Sequence, residues 1–427
     1  MEGCADQAVA RWTGEDSVDE TVVDVTAAET QVGSPRESEE GLSEAADVTI
    51  EPTVAPPARN PRFPMVDAVR AIAALTVVLF HDGNLGGRHN AGFLAGYIGR
   101  LSVGVPIFFV ISGFLLYRPF VAARLAGTPP IRVWPYLQRR ALRILPAYWV
   151  SLTVLAIAFG LPRVFTGDWW RYYGLVQIYN THTYDMGMGV AWTLCVEVTF
   201  YLALPVFDAL VTRLSLRTRN VGGRVDYHAL AAGAGLAVAF NIVVVALGWN
   251  LDWAHNLLGM FDWFALGMAV AVRSVTRGPF SMRFPGLLWI GAVVAYYLCT
   301  RVNGDTSPGF AYLLVHLLYA VIAILVFAPA ALTTRGLPAR VLSTRVLSWL
   351  GLISYSIYLY HATLIPPLVK RHAATWLPGN RYATLIVVTL AVVVPVAAVS
   401  YYVVERPFAS LKPGIRRRRP KAAAERG

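Results

Sequence analysis

A chain of 427 residues with 56% hydrophobic and only 15% charged side chains, at a mean hydropathy of +0.50, lies outside the soluble range, since soluble domains run near 45–50% apolar and 25% charged. Its net charge of +11 conceals two unlike parts: residues 1–58 carry 14 acids against Arg11 and Arg36, and the remainder carries 35 Lys and Arg against 12 acids. Three scattered cysteines, Cys4, Cys195 and Cys299, exclude a disulfide framework or a zinc-type spacing, and residues 1–60 contain no apolar core that would serve as a signal peptide.

Residues 1–60, rich in Glu, Thr, Ser, Pro and Ala, read as a disordered acidic tail that ends in a Pro-rich linker, Glu51–Pro64. From 61 to 408 an all-α, polytopic membrane bundle is expected, followed by a basic tail over 409–427. The first span is Pro64–Gly83, with an uncharged centre at Ala71–Phe80. It is followed by Leu101–Tyr117, Leu145–Leu161, Ala191–Val211, Ala229–Trp249, Leu257–Val272, Leu287–Thr300, Phe310–Leu332, Val346–Leu368 and Ala383–Val404. That makes ten, of which Leu257–Val272 and Leu287–Thr300 are short for a bilayer core needing about 20 residues. With both termini in the cytoplasm the inner loops hold sixteen Lys and Arg and the outer loops eight, the sense in which positive residues accumulate.

Two ionisable residues bracket the centre of the first span. Arg70 and His81 are eleven positions apart, close to three helical turns, so they share a face about 16 Å apart along the axis. Such groups on a spanning helix usually face a protein interior and act there, although Arg70 could also snorkel to the headgroups. On the fourth span Thr193, Glu197 and Tyr201 repeat every four residues as one polar stripe, with Trp192 at its head. Glu197 and His81 are expected at similar depth, where the carboxylate would hold the imidazole as a general base; a structural His–Glu pair is the alternative. Arg139, Arg140 and Arg143 edge the third span, a dock for phosphates through guanidinium forks or simply the positive-inside bias. Ser354, Tyr358 and His361 share a face of the ninth span. The segment Arg163–Val190, with Trp169, Trp170, Tyr172, Tyr173, Tyr179 and Tyr184, reads as an interfacial helix or as the wall of a binding site for sugar rings.

Five stretches together resemble the membrane-bound acyltransferase family 3. They are Arg70-x10-His81, FFVISGFLL at Phe108–Leu116, RRALRILPAYW at Arg139–Trp149, WTLCVEVTFYL at Trp192–Leu202, and ISYSIYLYH at Ile353–His361, with ERP at Glu405–Pro407 in support. The resemblance implies an enzyme that transfers an acyl group, taken here as acetyl, from acyl-CoA as cosubstrate to a hydroxyl of a carbohydrate, cell-envelope or secondary-metabolite acceptor. It implies His81 and Glu197 as catalytic residues and Arg70, Arg139, Arg140 and Arg143 as coenzyme contacts; His361, Ser354, Tyr201 and Trp192 are further candidates. No bound cofactor, metal or nucleic acid is expected, and the setting implied is a multi-pass protein among the lipids of a bacterial cell membrane. Thr193 stands where Ser is commoner and Ala362 where Pro often follows the histidine. Some members carry an esterase-like domain, and none is expected here. The alternative class is a transporter or flippase using the His, Glu and Arg as an intramembrane relay.

Overall fold

The computed structural model describes residues 64–86, 94–218, 223–277, 285–303, 308–333 and 337–411. The expectations for residues 1–60 and for the basic run after 411 lie outside the described residues.

Among the described residues the chain is helical, with no strand. Ten long helices fall where hydropathy places them: α1 (Pro64–Gly86), α2 (Gly104–Leu125), α3 (Val133–Phe159), α4 (Trp192–Arg217), α5 (Arg224–Ala246), α6 (Leu257–Thr276), α7 (Gly286–Thr300), α8 (Phe310–Leu332), α9 (Arg345–Lys370) and α10 (Arg381–Ser400). Eight of them are long and apolar enough to cross a membrane by length and composition. The other two are α7, a shorter apolar helix of 15 residues, and α1, which carries Asp67, Arg70 and Asp82. The other span expected to be short, α6, reaches 20 residues. It starts at the expected Leu257, where the Asn256 side chain accepts hydrogen bonds from the backbone N–H groups of Leu258 and Gly259, and its added turn is Arg273–Thr276 at the other end.

The helix α1 runs through the middle of the bundle. It packs along α9, with α2, α8 and α10 around it. Val66, Ala68, Val69, Ala71, Ala73, Ala74, Val77 and Val78 are each no more than 1% exposed, and they point in almost every direction around the helix. Small side chains make this possible, because helices in lipid associate by close packing rather than by escape from water. At the α1–α9 contact, a Cβ on Gly351 would lie 2.0 Å from the Asp67 carbonyl oxygen. At the α2–α6 contact, a Cβ on Gly267 would lie 1.9 Å from the Val110 carbonyl oxygen. Both crossings therefore require a residue with no side chain.

Buried charge at one end of the bundle is paired. Arg124 on α2 bridges Asp208 of α4 and Asp226 of α5, and Tyr117 Oη donates to Asp226 over 2.7 Å. Intramembrane ions persist where they have such partners.

Gly351→Leu is expected to force α1 from α9 and cost about 1–3 kcal/mol or more, as overpacking does. Thermal unfolding of the purified protein in detergent checks this; a midpoint equal to that of the wild type would refute the close crossing.

Candidate active site

Two cavities open along α1, one at each end of its apolar centre. The first has a volume of about 310 Å³ and is lined by Arg70 of α1, Phe108 and Ser112 of α2, Arg140 and Arg143 of α3, Thr193, Glu197 and Tyr201 of α4, and Ser354 and Tyr358 of α9. Local helix geometry explains the set. Arg140 and Arg143, three residues apart, share a face of α3, and the four-residue repeat of α4 presents Thr193, Glu197 and Tyr201 together. Arg139, displaced by about 100° from Arg140 around the helix, is exposed and does not line the cavity.

Three guanidinium groups thus share one cavity with the Glu197 carboxylate. Glu197 Oε1 accepts a hydrogen bond of 2.5 Å from Ser112 Oγ. Arg70 has Asp67 one turn away at 3.9 Å, and its charge is felt by Arg143, Glu405 and Glu197. Glu405, from the ERP sequence, accepts from Ser356 Oγ on α9 and so ties the end of the helical domain to the cavity wall. The Ser354 hydroxyl donates to its own helix at the Gly351 carbonyl, 2.8 Å away.

The second cavity is larger, about 1170 Å³, and holds His81, Tyr184, Asp185, Trp192, Asp252, His255, Lys370 and Arg371 on its walls. The aromatic segment divides its roles: Tyr184 and Asp185 line the cavity, whereas Trp169 and Trp170 are exposed. His255 stacks on Trp192 with ring centroids 4.7 Å apart, and Tyr184 Oη lies 2.6 Å from His255 Nδ1. Burial, with His316 nearby as the lesser cause, holds the His255 imidazole down to about 4.

One apolar cluster contributes to both walls and so partitions the cavities: Val105, Phe108 and Tyr358 line the first, Val190 and Ala362 the second. Val77, Val190 and Tyr358 form it, with Val105, Phe108 and Ala362 packed against them. The Tyr358 ring meets Phe108 edge-on. Its hydroxyl donates to the Val190 carbonyl (3.0 Å) and sits 2.7 Å from Thr193 Oγ1.

The expected pairing of His81 with Glu197 is not present. Glu197 belongs to the arginine cavity and bonds Ser112, whereas His81 lies beyond the partition. The ring facing His81 is that of His361, fully buried on α9, with its Nε2 3.2 Å from His81 Nδ1. The reason is packing: α9, not α4, runs against α1. Ser112, Asp185, Asp252 and His255 were not singled out from sequence. Ser112 sits inside a recognised apolar motif, where its hydroxyl looks like any small residue, and the other three lie in loops with no spacing that links them.

The chain matches the acyltransferase-domain family over residues 64–404, and it belongs to that family. Among similar proteins is YrhL of Bacillus subtilis, named provisionally as a peptidoglycan O-acetyltransferase. It is 24% identical over 368 residues, covering 81% of this chain and 54% of the relative. The O-acetyltransferase OatA of Staphylococcus aureus is 25% identical over 381 residues, covering 82% of this chain and 58% of the relative. The chain therefore spans little more than half the length of these relatives. No solved structure gives a significant match.

The depressed His255 has a consequence for stability. Between the ordinary histidine value and about 4 the unfolded chain binds a proton that the folded site rejects, so stability rises with pH across that interval and is lost as pH falls through it. The thermal midpoint is expected to drop between pH 6.5 and pH 4, and less steeply in His255→Gln. Identical slopes in the two proteins would contradict a neutral, buried imidazole.

Proposed function

We propose that this protein transfers an acyl group, acetyl in the simplest case, from acyl-CoA to a hydroxyl of a cell-envelope carbohydrate such as peptidoglycan. The observation that carries the reading is the division of α1 between two cavities, one basic and one holding a histidine. Arg70, Arg140 and Arg143 suit the phosphates and polar amides of a coenzyme, because guanidinium forks bind such oxygens in pairs. The flat faces of Trp192, Tyr184 and His255 suit a sugar ring. With the amino end of the chain in the cytoplasm, as the Lys and Arg distribution favours, the arginine cavity faces the source of acyl-CoA and the histidine cavity faces the envelope.

In the reaction the acceptor hydroxyl gives its proton to His81 as its oxygen attacks the thioester carbon. The new C–O bond forms as the C–S bond breaks, and the proton passes from the imidazolium to the coenzyme sulfur. Glu197 then serves on the donor side. Bound to Ser112 and lining the same cavity as three arginines, it offsets part of the mutual repulsion of those cations. The relatives' names support acetyl as the group and peptidoglycan as the acceptor class.

His81→Ala is expected to lower the release of coenzyme thiol from acetyl-CoA at least about 100-fold, the usual scale of a general base, at normal membrane insertion. Retention of more than a tenth of the wild-type rate would remove His81 from the chemistry. Arg70→Lys should weaken the apparent affinity for acetyl-CoA several-fold with little change in acceptor KM, since an ammonium cannot replace a planar fork. An unchanged donor affinity would return Arg70 to a headgroup role. Movement of a carbohydrate across the membrane without thiol release would favour a transporter instead.

A further inference from the structure

His81, near the end of α1, and His361, within α9, are held by their own helices. His81 Nδ1 lies 2.9 Å from the Val77 carbonyl oxygen, and His361 Nδ1 lies 2.8 Å from the Tyr358 carbonyl oxygen. A carbonyl only accepts, so each Nδ1 carries the proton that makes its bond. In neutral His361 the remaining nitrogen, Nε2, is then a bare lone pair. It points at His81 Nδ1 over 3.2 Å, and the contact is met in one direction only: the single His81 Nδ1–H, donated to the Val77 carbonyl at 2.9 Å, is shared with His361 Nε2 as the longer arm of a bifurcated bond. The rings meet at 74° with centroids 4.8 Å apart, so this is an edge contact and not a stack. His81 Nε2 has no partner among the described residues, and the ring lines the histidine cavity.

We propose that His361 is a positioning residue: as the second acceptor of the His81 Nδ1–H, it holds the ring together with the Val77 carbonyl in the tautomer whose unprotonated Nε2 is free for the acceptor. The inference rests on the acyl-transfer reading and names the atom at which that reading takes its proton. When Nε2 captures the acceptor proton, His81 becomes a cation shared between two N–H groups. The bond from Nδ1–H to His361 is then charge-assisted and strengthens, so His361 acts more on the transition state than on the resting enzyme. It does this without touching either substrate. Its anchor on Tyr358 also places it on the residue whose hydroxyl closes the partition, so the base and the partition hang from one turn of α9.

The test compares His361→Gln, which keeps an acceptor oxygen at reach, with His361→Leu, which removes it. The Leu variant should lose about tenfold to a hundredfold in kcat, the range for a hydrogen bond to a charged group, with KM for acetyl-CoA unchanged. The Gln variant should recover most of that loss. Equal loss in both variants, or wild-type kcat in the Leu variant, would overturn the proposal. An independent measurement needs no variant of His361 to fold. Side-chain 15N spectra of the wild type in nanodiscs at pH 8, with the His81 signals identified by their loss in His81→Ala, should show His81 protonated at Nδ1 and bare at Nε2. The opposite tautomer would overturn the proposal whatever the activities. Transfer that survives in His81→Ala would instead sink the acyl-transfer role of His81, which the spectra do not depend on.

Discussion

The contact between α1 and α9 sets the positions of the other groups. It is close because α1 presents Ala and Val on nearly every side and α9 presents Gly351 where the backbone of Asp67 arrives. A helix packed on all sides can expose its polar residues only where the surrounding helices part, and here they part at two places. Arg70 reaches one opening and His81 the other. The separation between a basic site and a histidine is therefore the length of a rigid helix, not a loop that could adjust.

Such rigidity has a chemical use. In the reaction proposed above, a thioester held by charge at one end of α1 and an acceptor held against aromatic faces at the other would meet at the Tyr358 cluster. That cluster is built from Tyr358, Val190 and Val77 with Phe108 against them, and its hydrogen bonds run from a tyrosine hydroxyl to Thr193 and to a carbonyl at the turn before α4. Exclusion of water matters for any acyl transfer, because water competes with the acceptor hydroxyl.

Much of the architecture was legible from residues alone, because it is governed by local periodicity. Ten apolar stretches marked the ten long helices, and the four-residue repeat placed Thr193, Glu197 and Tyr201 in one cavity. The spacing of Arg140 and Arg143 did the same on α3, while the neighbouring Arg139 turned outward for the same geometric reason. What depth along a span does not reveal is which helix faces which. Glu197 and His81 were matched by depth, yet α9 and not α4 adjoins that part of α1, and the partner of His81 is His361. Of the wall formed by Tyr184, Trp192 and His255, the first two were legible as an aromatic segment and a candidate beside it, whereas His255 was hidden because it comes from a separate loop further along the chain.

The most direct measurement is the position of the donor. Electron cryomicroscopy of the protein in nanodiscs with a non-hydrolysable acetyl-CoA analogue should show its pantetheine arm between Arg70, Arg140 and Arg143, with the thioether sulfur ending at the Tyr358 cluster. The same analogue seated with its phosphates among Lys370, Arg371 and His255 would contradict a donor site at the arginine end of α1.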